Sequence, residues 1–467
     1  ARLGTQGQVQ VGRLEVLIND LNNIAVDVNA QFKGNLSDVM QVMLNTPLRD
    51  KLGPWMNPGL VNGSSEHELH LHLPLANTAA LKLQGALTLP GNDIQLQAGL
   101  PRMGKVKGVI NYTQSGLSTN NLRLRVFGGD ARLDGGLRFS DSVTEGPARL
   151  SLQGSISAEA LRQSTELPSL TGLATRMEGN ASYAATLGLR QGVPEITVIS
   201  NLQGMALDFP APLRKPAEAS WPMRFDSVLL PAGTAKGSAM LEQLQLKLAQ
   251  VLSVSYVRDV STAKPTVVRG QIQIGQSAGW KDAPDNTVVL QVKQPNLNAD
   301  EWQTLLASFT EEESGLRVGN AGRSSLNAYV PNKIDISSQE LVWSGRTYNQ
   351  LQVNADKQAK VWRIQARANE FQGSAEYRAP ADGSGARVSA HLNYLTIPPA
   401  VLEDVESAMS ESPKDMPALD LIIDNLELRG VALGKAEIEG FARTSTNGSR
   451  EWVLGKLNLT MPEASLQ

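Results

Sequence analysis

Three of the four histidines fall in one short stretch, "EHELHLHL", at positions 67, 70 and 72. On a strand, His70 and His72 share a face and stand at a spacing that suits metal chelation. They share that face with Glu68, opposite Leu69, Leu71 and Leu73. No cysteine or further acidic ligand follows at a fixed spacing, so the pattern reads as solvent-facing histidines and no metal site is expected. "GQSAG", residues 275–279, matches a nucleophile elbow with Ser277 as nucleophile. That turn requires a helix directly after it, but "WKDAPDNT" follows and the sole downstream histidine is His391. A turn between strands is the expectation there. Asp130 and Asp134 form a third candidate. Four residues apart on a strand, they lie ~13 Å from one another, beyond the ~5 to 9.5 Å of a glycosidase pair. With no Walker loop and no dinucleotide-binding glycine pattern, the chain reads as non-enzymatic, with no catalytic residues and no cofactor.

The elements around these residues are mostly strands. In "LDLIIDNLELRGVALGKAEIEGFA", Leu426 and Leu428 alternate with Glu427 and Arg429. Leu122, Leu124 and Val126 alternate with Arg123 and Arg125, and Leu244, Leu246 and Leu248 with Gln245 and Lys247. Ile272 and Ile274 continue the pattern. Each run has one apolar and one polar face, and 41 glycines and 24 prolines punctuate the runs. The expected fold is mostly β: a long, twisted antiparallel sheet curled into an open groove with an apolar concave face, plus a few short helices. The helices are expected at Asn35 to Leu52 and after the strand ends "ISAEAL", "LNADEW" and "IPPAVL", where Asn298 with Glu301 makes a capping box. An internal echo appears as well: Leu341, Gly345 and Trp362 recur as Leu426, Gly430 and Trp452, each set reading as strand, turn, strand, Trp-containing strand.

Bulk properties narrow the classes. At 467 residues, 41% hydrophobic and 19% charged, the chain is too long for one ordinary core and too well patterned for disorder. A net charge of −3 without a basic run argues against nucleic acid. The absence of cysteine removes disulfides and thiolate chemistry. No apolar run approaches the ~20 residues of a membrane-spanning helix. The chain begins at Ala1 and ends within an alternating segment, so it is expected to be an internal piece of a longer protein. It reads as one continuous β-groove over 1–467 without a clear linker, in approximate blocks 1–170, 171–310 and 311–467.

"SNLQGMALDFPAPLRKPAEASWPMRF", Ser200 to Phe225, resembles the middle region of the YhdP-type proteins of the bacterial AsmA-like superfamily. The matching residues are Leu202, Gly204, Leu207, Asp208, Pro210, Pro212, Lys215, Pro216, Ala217, Trp221 and Pro222. "MPALDLIIDNLELRGVALGKAEIEG", with Trp452 and "LNLTMPEASLQ" after it, is similar to a later segment of the same family. The resemblance implies a periplasmic location in a Gram-negative bacterium, with an inner-membrane anchor in the full-length protein. It implies a long curled β-sheet with an apolar concave side, serving as a bridge along which phospholipids move between inner and outer membranes. It carries over no catalytic residues and identifies no protein partner.

The residues fit that expectation on physical grounds. A sheet with one apolar face must cover it, and acyl chains can do so at ~0.8 kcal/mol per buried CH₂ without directional contacts. The candidate groove lining is Leu69, Leu71, Leu73, Leu122, Leu124, Val126, Leu244, Leu246, Leu248, Ile272, Ile274, Leu426 and Leu428. The alternative is a non-catalytic β-sandwich acting as a scaffold in envelope or outer-membrane assembly, because alternation alone does not separate a groove from a filled core.

Overall fold

The computed structural model describes residues 9–18, 24–44, 61–77, 80–95, 101–138, 149–164, 168–190, 193–231, 239–262, 264–275, 283–315, 327–380, 385–397, 417–444, 450–461 and 465–466. The chain divides into two compact units: Ala1–Phe209 with Leu213–Ala249, and Pro210–Pro212 with Gln250–Gln467.

The first unit contains β1 (Val9–Ile18), β2 (Ala25–Asn35), β3 (Val61–Asn62), β4 (Ser64–Pro74), β5 (Lys82–Ile94), β6 (Met103–Thr113), β7 (Gly116–Val126), β8 (Gly128–Arg138), β9 (Leu150–Ser157), β10 (Met177–Arg190), β11 (Val193–Ser200), β12 (Met205–Leu207), β13 (Met223–Leu229) and β14 (Leu241–Leu248). Its strands pair antiparallel in the order β1-β2-β4-β5-β6-β7-β8-β9-β10-β11-β13-β14. The short β3 adds to β5 and β12 to β10. Among the described residues β1 and β14 do not pair, so the sheet stays open. The helices are α1 (Leu36–Leu44), α2 (Ala158–Arg162) and α3 (Pro168–Ala174). The strand-to-helix switch after β9 follows from Ser157, whose hydroxyl accepts the Ala160 N–H at 3.2 Å and satisfies one of the donors a helix start leaves open. Ala158 and Leu161 then bury.

The second unit contains β15 (Leu252–Asp259), β16 (Thr266–Gly275), β17 (Val288–Asn298), helix α4 (Ala299–Gly315), β18 (Lys333–Trp343), β19 (Arg346–Gln358), β20 (Val361–Arg367), β21 (Phe371–Arg378), β22 (Arg387–Ile397), β23 (Ala418–Leu428), β24 (Val431–Thr444), β25 (Arg450–Thr460) and β26 (Ser465–Leu466). These strands lie side by side in chain order. Most pairs are antiparallel, but β16–β17, β17–β18 and β22–β23 run parallel. A parallel pair needs a crossover, and α4 provides one: it begins where Asn298 Oδ1 accepts the N–H groups of Asp300 (3.1 Å) and Glu301 (3.2 Å). The helix expected after "IPPAVL" lies outside the described residues.

The internal echo has a geometric counterpart. Ser344–Gly345 (φ 50°, 70°) and Arg429–Gly430 (φ 53°, 77°) both take the left-handed pair of angles that a two-residue hairpin turn requires, and glycine adopts its share without a Cβ penalty. Each turn opens an antiparallel run that follows a parallel entry, β17–β18 in one case and β22–β23 in the other.

Candidate functional site

Residues opposite one another in a sheet point to the same side, so the register converts alternation along strands into rows across them. In the first unit one row runs Val11, Phe32, His67, Leu87, Ile110, Thr119, Gly135, Leu150, Leu187, Ile196, Ser227, Leu244. A neighbouring row runs Leu122, Leu133, Leu152, Ala185, Val198, Phe225, Leu246. The opposite face reads Asp134, Ser151, Thr186, Thr197, Asp226, Gln245. Thus Leu122 and Leu246, on strands more than a hundred residues apart in sequence, line one face.

The second unit is purer. One row runs Val254, Ile272, Leu290, Ile334, Ala355, Ile364, Ala375, Ala390, Leu421, Ile438, Leu457. The next runs Leu252, Ile274, Val292, Ile336, Val353, Ala366, Gly373, Leu392, Ile423, Ala436, Leu459. Every position in both rows is Ala, Val, Ile, Leu or Gly. The reverse face, through Ser253, Gln273, Gln291, Asp335, Asn354, Gln365, Ser374, His391, Ile422, Glu437 and Asn458, is polar with one exception. Of these rows the sequence-based lining named only Ile272 and Ile274; the alignment of the remaining positions opposite one another is set by the register.

The sequence-predicted lining divides by coverage. Leu122, Leu124 and Val126 are only 3–4% exposed. They pack with Leu89, Ile94, Val106 and Leu36, the first residue of α1, so at this place the protein covers its own apolar face. Leu248 is buried as well. Leu69, Leu71, Leu73, Leu244, Leu246, Ile272, Ile274, Leu426 and Leu428 are half-buried. In the second unit Ala299 and Trp302 of α4 pack on a cluster of Val292, Leu297, Leu341, Leu351 and Ala368. Among the described residues that cluster draws on β17, β18, β19, the Ala368 that follows β20, and the helix.

The chemical candidates resolve into outward-facing pairs. His70 Nδ1 lies 2.7 Å from Asn29 Oδ1, and His72 Nδ1 2.5 Å from Asp27 Oδ1, each with its direct cross-strand partner. His391 Nε2 stands 2.9 Å from Asp424. Asp130 pairs with Arg125 at 3.3 Å. Asp134 takes Arg132 at 2.7 Å and the Asn121 N–H at 2.7 Å, and the hydrogen bond from Arg132 holds its carboxyl below the usual carboxylate range. No group of three potential metal ligands gathers among the described residues. Ser277 lies outside them.

The third histidine of the cluster behaves differently. His67 falls on the apolar face, 3% exposed, stacked on Phe32 with ring centroids 4.8 Å apart, its Nε2 2.8 Å from Ser65 Oγ. Burial lowers its pKa from 6.5 to about 4. The unfolded chain therefore binds more protons between those values, and stability falls as pH drops through that window, by about 3 kcal/mol in all. Urea midpoints at about pH 7.5 and about pH 4.5 should differ accordingly, and His67→Phe should remove most of that histidine's share of the difference. An unchanged acid dependence in His67→Phe would show that the imidazole is not neutral and buried.

The stretch most like a known family, 200–225, forms a loop locked onto β10 through β12. Leu207 and Lys215 exchange backbone hydrogen bonds at 2.8 and 2.9 Å, Gly204 N–H reaches Ala217 O at 2.8 Å, and Trp221 N–H reaches Asn201 O at 2.7 Å. Lys215, 1% exposed, donates from Nζ to Met205 O at 2.7 Å and Pro216 O at 3.0 Å.

Over 416 residues the sequence is 21% identical to the Intermembrane phospholipid transporter YhdP of Escherichia coli (strain K12), an overlap of 87% of this chain and 30% of that protein. The chain therefore spans less than a third of that relative's length. No solved structure matches. The family described as "YhdP protein" matches residues 1–467, the whole of the chain. With open sheets whose registers sort apolar from polar residues and with this match from end to end, the chain belongs to the YhdP family.

Proposed function

We propose that each unit of this chain forms a stretch of a path along which phospholipid acyl chains move between the inner and outer membranes of a Gram-negative envelope, in the periplasm. The anchor to the inner membrane would belong to the full-length protein. The observation that carries this reading is the pair of rows across β15–β25, built only from Ala, Val, Ile, Leu and Gly. An acyl chain meets the same non-directional surface at each strand, at ~0.8 kcal/mol per buried CH₂, so neighbouring positions are nearly equal in energy and sliding needs no hydrogen bond to break. The name of the Escherichia coli relative, an intermembrane phospholipid transporter, supports the substrate class. A non-catalytic scaffold role would call for these rows to be covered by protein throughout; Val292, Ala355, Ile423 and Ala436 are buried, while the other positions of the two rows are half-buried or exposed.

The test is mass spectrometry of the chain purified from a bacterial envelope in mild detergent, together with photo-crosslinking from Ala390 and Ile364. Co-purifying phospholipid, and crosslinks to lipid from both positions, are expected. A lipid-free protein that crosslinks only to itself would remove the proposal.

A further inference from the structure

The two aliphatic rows of the second unit have a third row beside them on the same face. Two residues along the strand from Val254, Leu290, Ile334, Ala355, Ile364 and Ala375 stand Tyr256, Val288, Asn332, Lys357, Trp362 and Tyr377. Side chains two apart on a strand point to one side, so these six share the face of the aliphatic rows. The pairing keeps them in line. Lys357 opposes Trp362 and Trp362 opposes Tyr377, while the Asn332 N–H reaches Val288 O at 3.0 Å and the Lys357 N–H reaches Asn332 O at 2.8 Å. Four of the six, Tyr256, Lys357, Trp362 and Tyr377, have an apolar body and a polar end, the type that suits a boundary between hydrocarbon and water.

The two sides of the aliphatic rows differ. Beyond the row of Val353, Ala299 and Trp302 of α4 pack on the cluster that holds Leu341 and Leu351. Beyond the row of Ala355 stands Lys357, exposed and without an ion-pair partner among the described residues. Its neighbour Asp356 belongs to the reverse face, where it pairs with Lys333 at 3.6 Å. Lys357 Nζ lies 5.8 Å from the Trp362 ring centroid. A ring face holds an ammonium in place and leaves N–H groups for an acceptor. A recess of about 250 Å³ opens beside it, with Val288, Val330, Pro331, Asn332 and Lys357 in its lining. Asn332 is committed within the fold: its Oδ1 accepts the Val288 N–H at 2.9 Å and its Nδ2 donates to Asn286 O at 3.0 Å. The Lys357 ammonium is the charge that this row presents beside the aliphatic face. It is two residues from Ala355, ~7 Å along the strand, comparable with the glycerol unit that joins a phosphate to its acyl chains.

We propose that this third row is the headgroup lip of the apolar face, and that Lys357 binds the phosphate of a phospholipid whose acyl chains lie on the two aliphatic rows. A charge-assisted hydrogen bond from the ammonium holds the phosphate, and Trp362 fixes the ammonium from the other side. The assignment rests on the acyl-chain reading above and adds to it which side of the rows the head occupies.

The test uses the 467-residue chain with two fluorescent lipids that carry the same label on the same acyl chain, a phosphatidic acid and a diacylglycerol, and with inorganic phosphate as a third probe. Lys357→Gln should weaken phosphatidic acid binding by ~3- to 10-fold and leave diacylglycerol unchanged. Lys357→Arg, which keeps the charge, should bind phosphatidic acid nearly as wild type does. Lys333→Gln, on the reverse face, should have no effect on either lipid. Phosphatidic acid held equally by wild type and Lys357→Gln would overturn the headgroup lip and leave the acyl path standing. Equal losses of both lipids in Lys357→Gln, or equal losses of phosphatidic acid in Lys357→Gln and Lys333→Gln, would also overturn it, the first as a packing effect and the second as general surface charge. Inorganic phosphate binding as tightly as phosphatidic acid would assign the recess to free phosphate and overturn the lipid source. Failure of both lipids to bind wild type would remove the path and the lip together.

Discussion

Leu124→Asp should unfold the first unit, whereas Ile364→Asp should leave the second unit folded and abolish the lipid labelling expected there. Leu124 is 4% exposed and enclosed by Leu36, Leu89, Val106 and its strand neighbours. Truncating such a leucine costs about 2–5 kcal/mol in packing alone, and a carboxylate in its place adds a desolvation cost of several kcal/mol. Their sum approaches or exceeds the 5–15 kcal/mol stability typical of a folded domain. Ile364 has the same face and a different neighbourhood. It is half-buried, between the small cross-strand partners Ala355, itself buried, and Ala375. An aspartate at this half-buried position costs about 1–2 kcal/mol, yet it places an ionised group in one aliphatic row beside the other, where a hydrocarbon chain would have to pass it. Near-ultraviolet circular dichroism and thermal melts report the fold, and photo-crosslinking from Ala390 reports the lipid. Unfolding by Ile364→Asp, coupled with a wild type that never labels, would mean that the rows are a closed core.

Lys215→Met should lower the stability of the first unit by about 2–4 kcal/mol, although methionine fills nearly the same space. The ammonium is the donor for Met205 O and Pro216 O inside a loop where it is 1% exposed. Loss of that donor leaves two carbonyls without a hydrogen bond, at about 1–3 kcal/mol each, less the relief of no longer burying a charge. Desolvation pulls the lysine pKa below its ordinary value and Glu218 opposes it, consistent with a charge held by local dipoles. Hydrogen exchange should localise the loss to the Gly204 and Leu207 amides, and lipid labelling from Ile364 should stay unchanged. A urea midpoint equal to that of wild type would show that Lys215 does not hold the loop together. The family-like residues of 200–225 thus build a locked loop, and the apolar rows carry the proposed path.

The sequence by itself determined which residues share a face. Side-chain direction alternates with period two in any strand, so Leu244, Leu246 and Leu248, or Ile272 and Ile274, are sorted from their polar neighbours by local geometry alone. The turns at Gly345 and Gly430 and the helix start at Asn298 were legible for the same reason, because each depends on a few consecutive residues. The alternation puts His67 in phase with Leu69, Leu71 and Leu73, but its burial against Phe32 was not legible, because it depends on which strand becomes its neighbour. The parallel pairings of β16–β17, β17–β18 and β22–β23 were invisible as well, because the alternation within a strand is the same whichever way its neighbour runs. Only the tertiary structure decided that Leu122, Leu124 and Val126 are buried in one cluster with Leu36 of α1 while Leu246 and Ile364 stay half-buried. Those outcomes depend on which strands become neighbours and in what register, a choice made by long-range pairing and by the burial of whole rows.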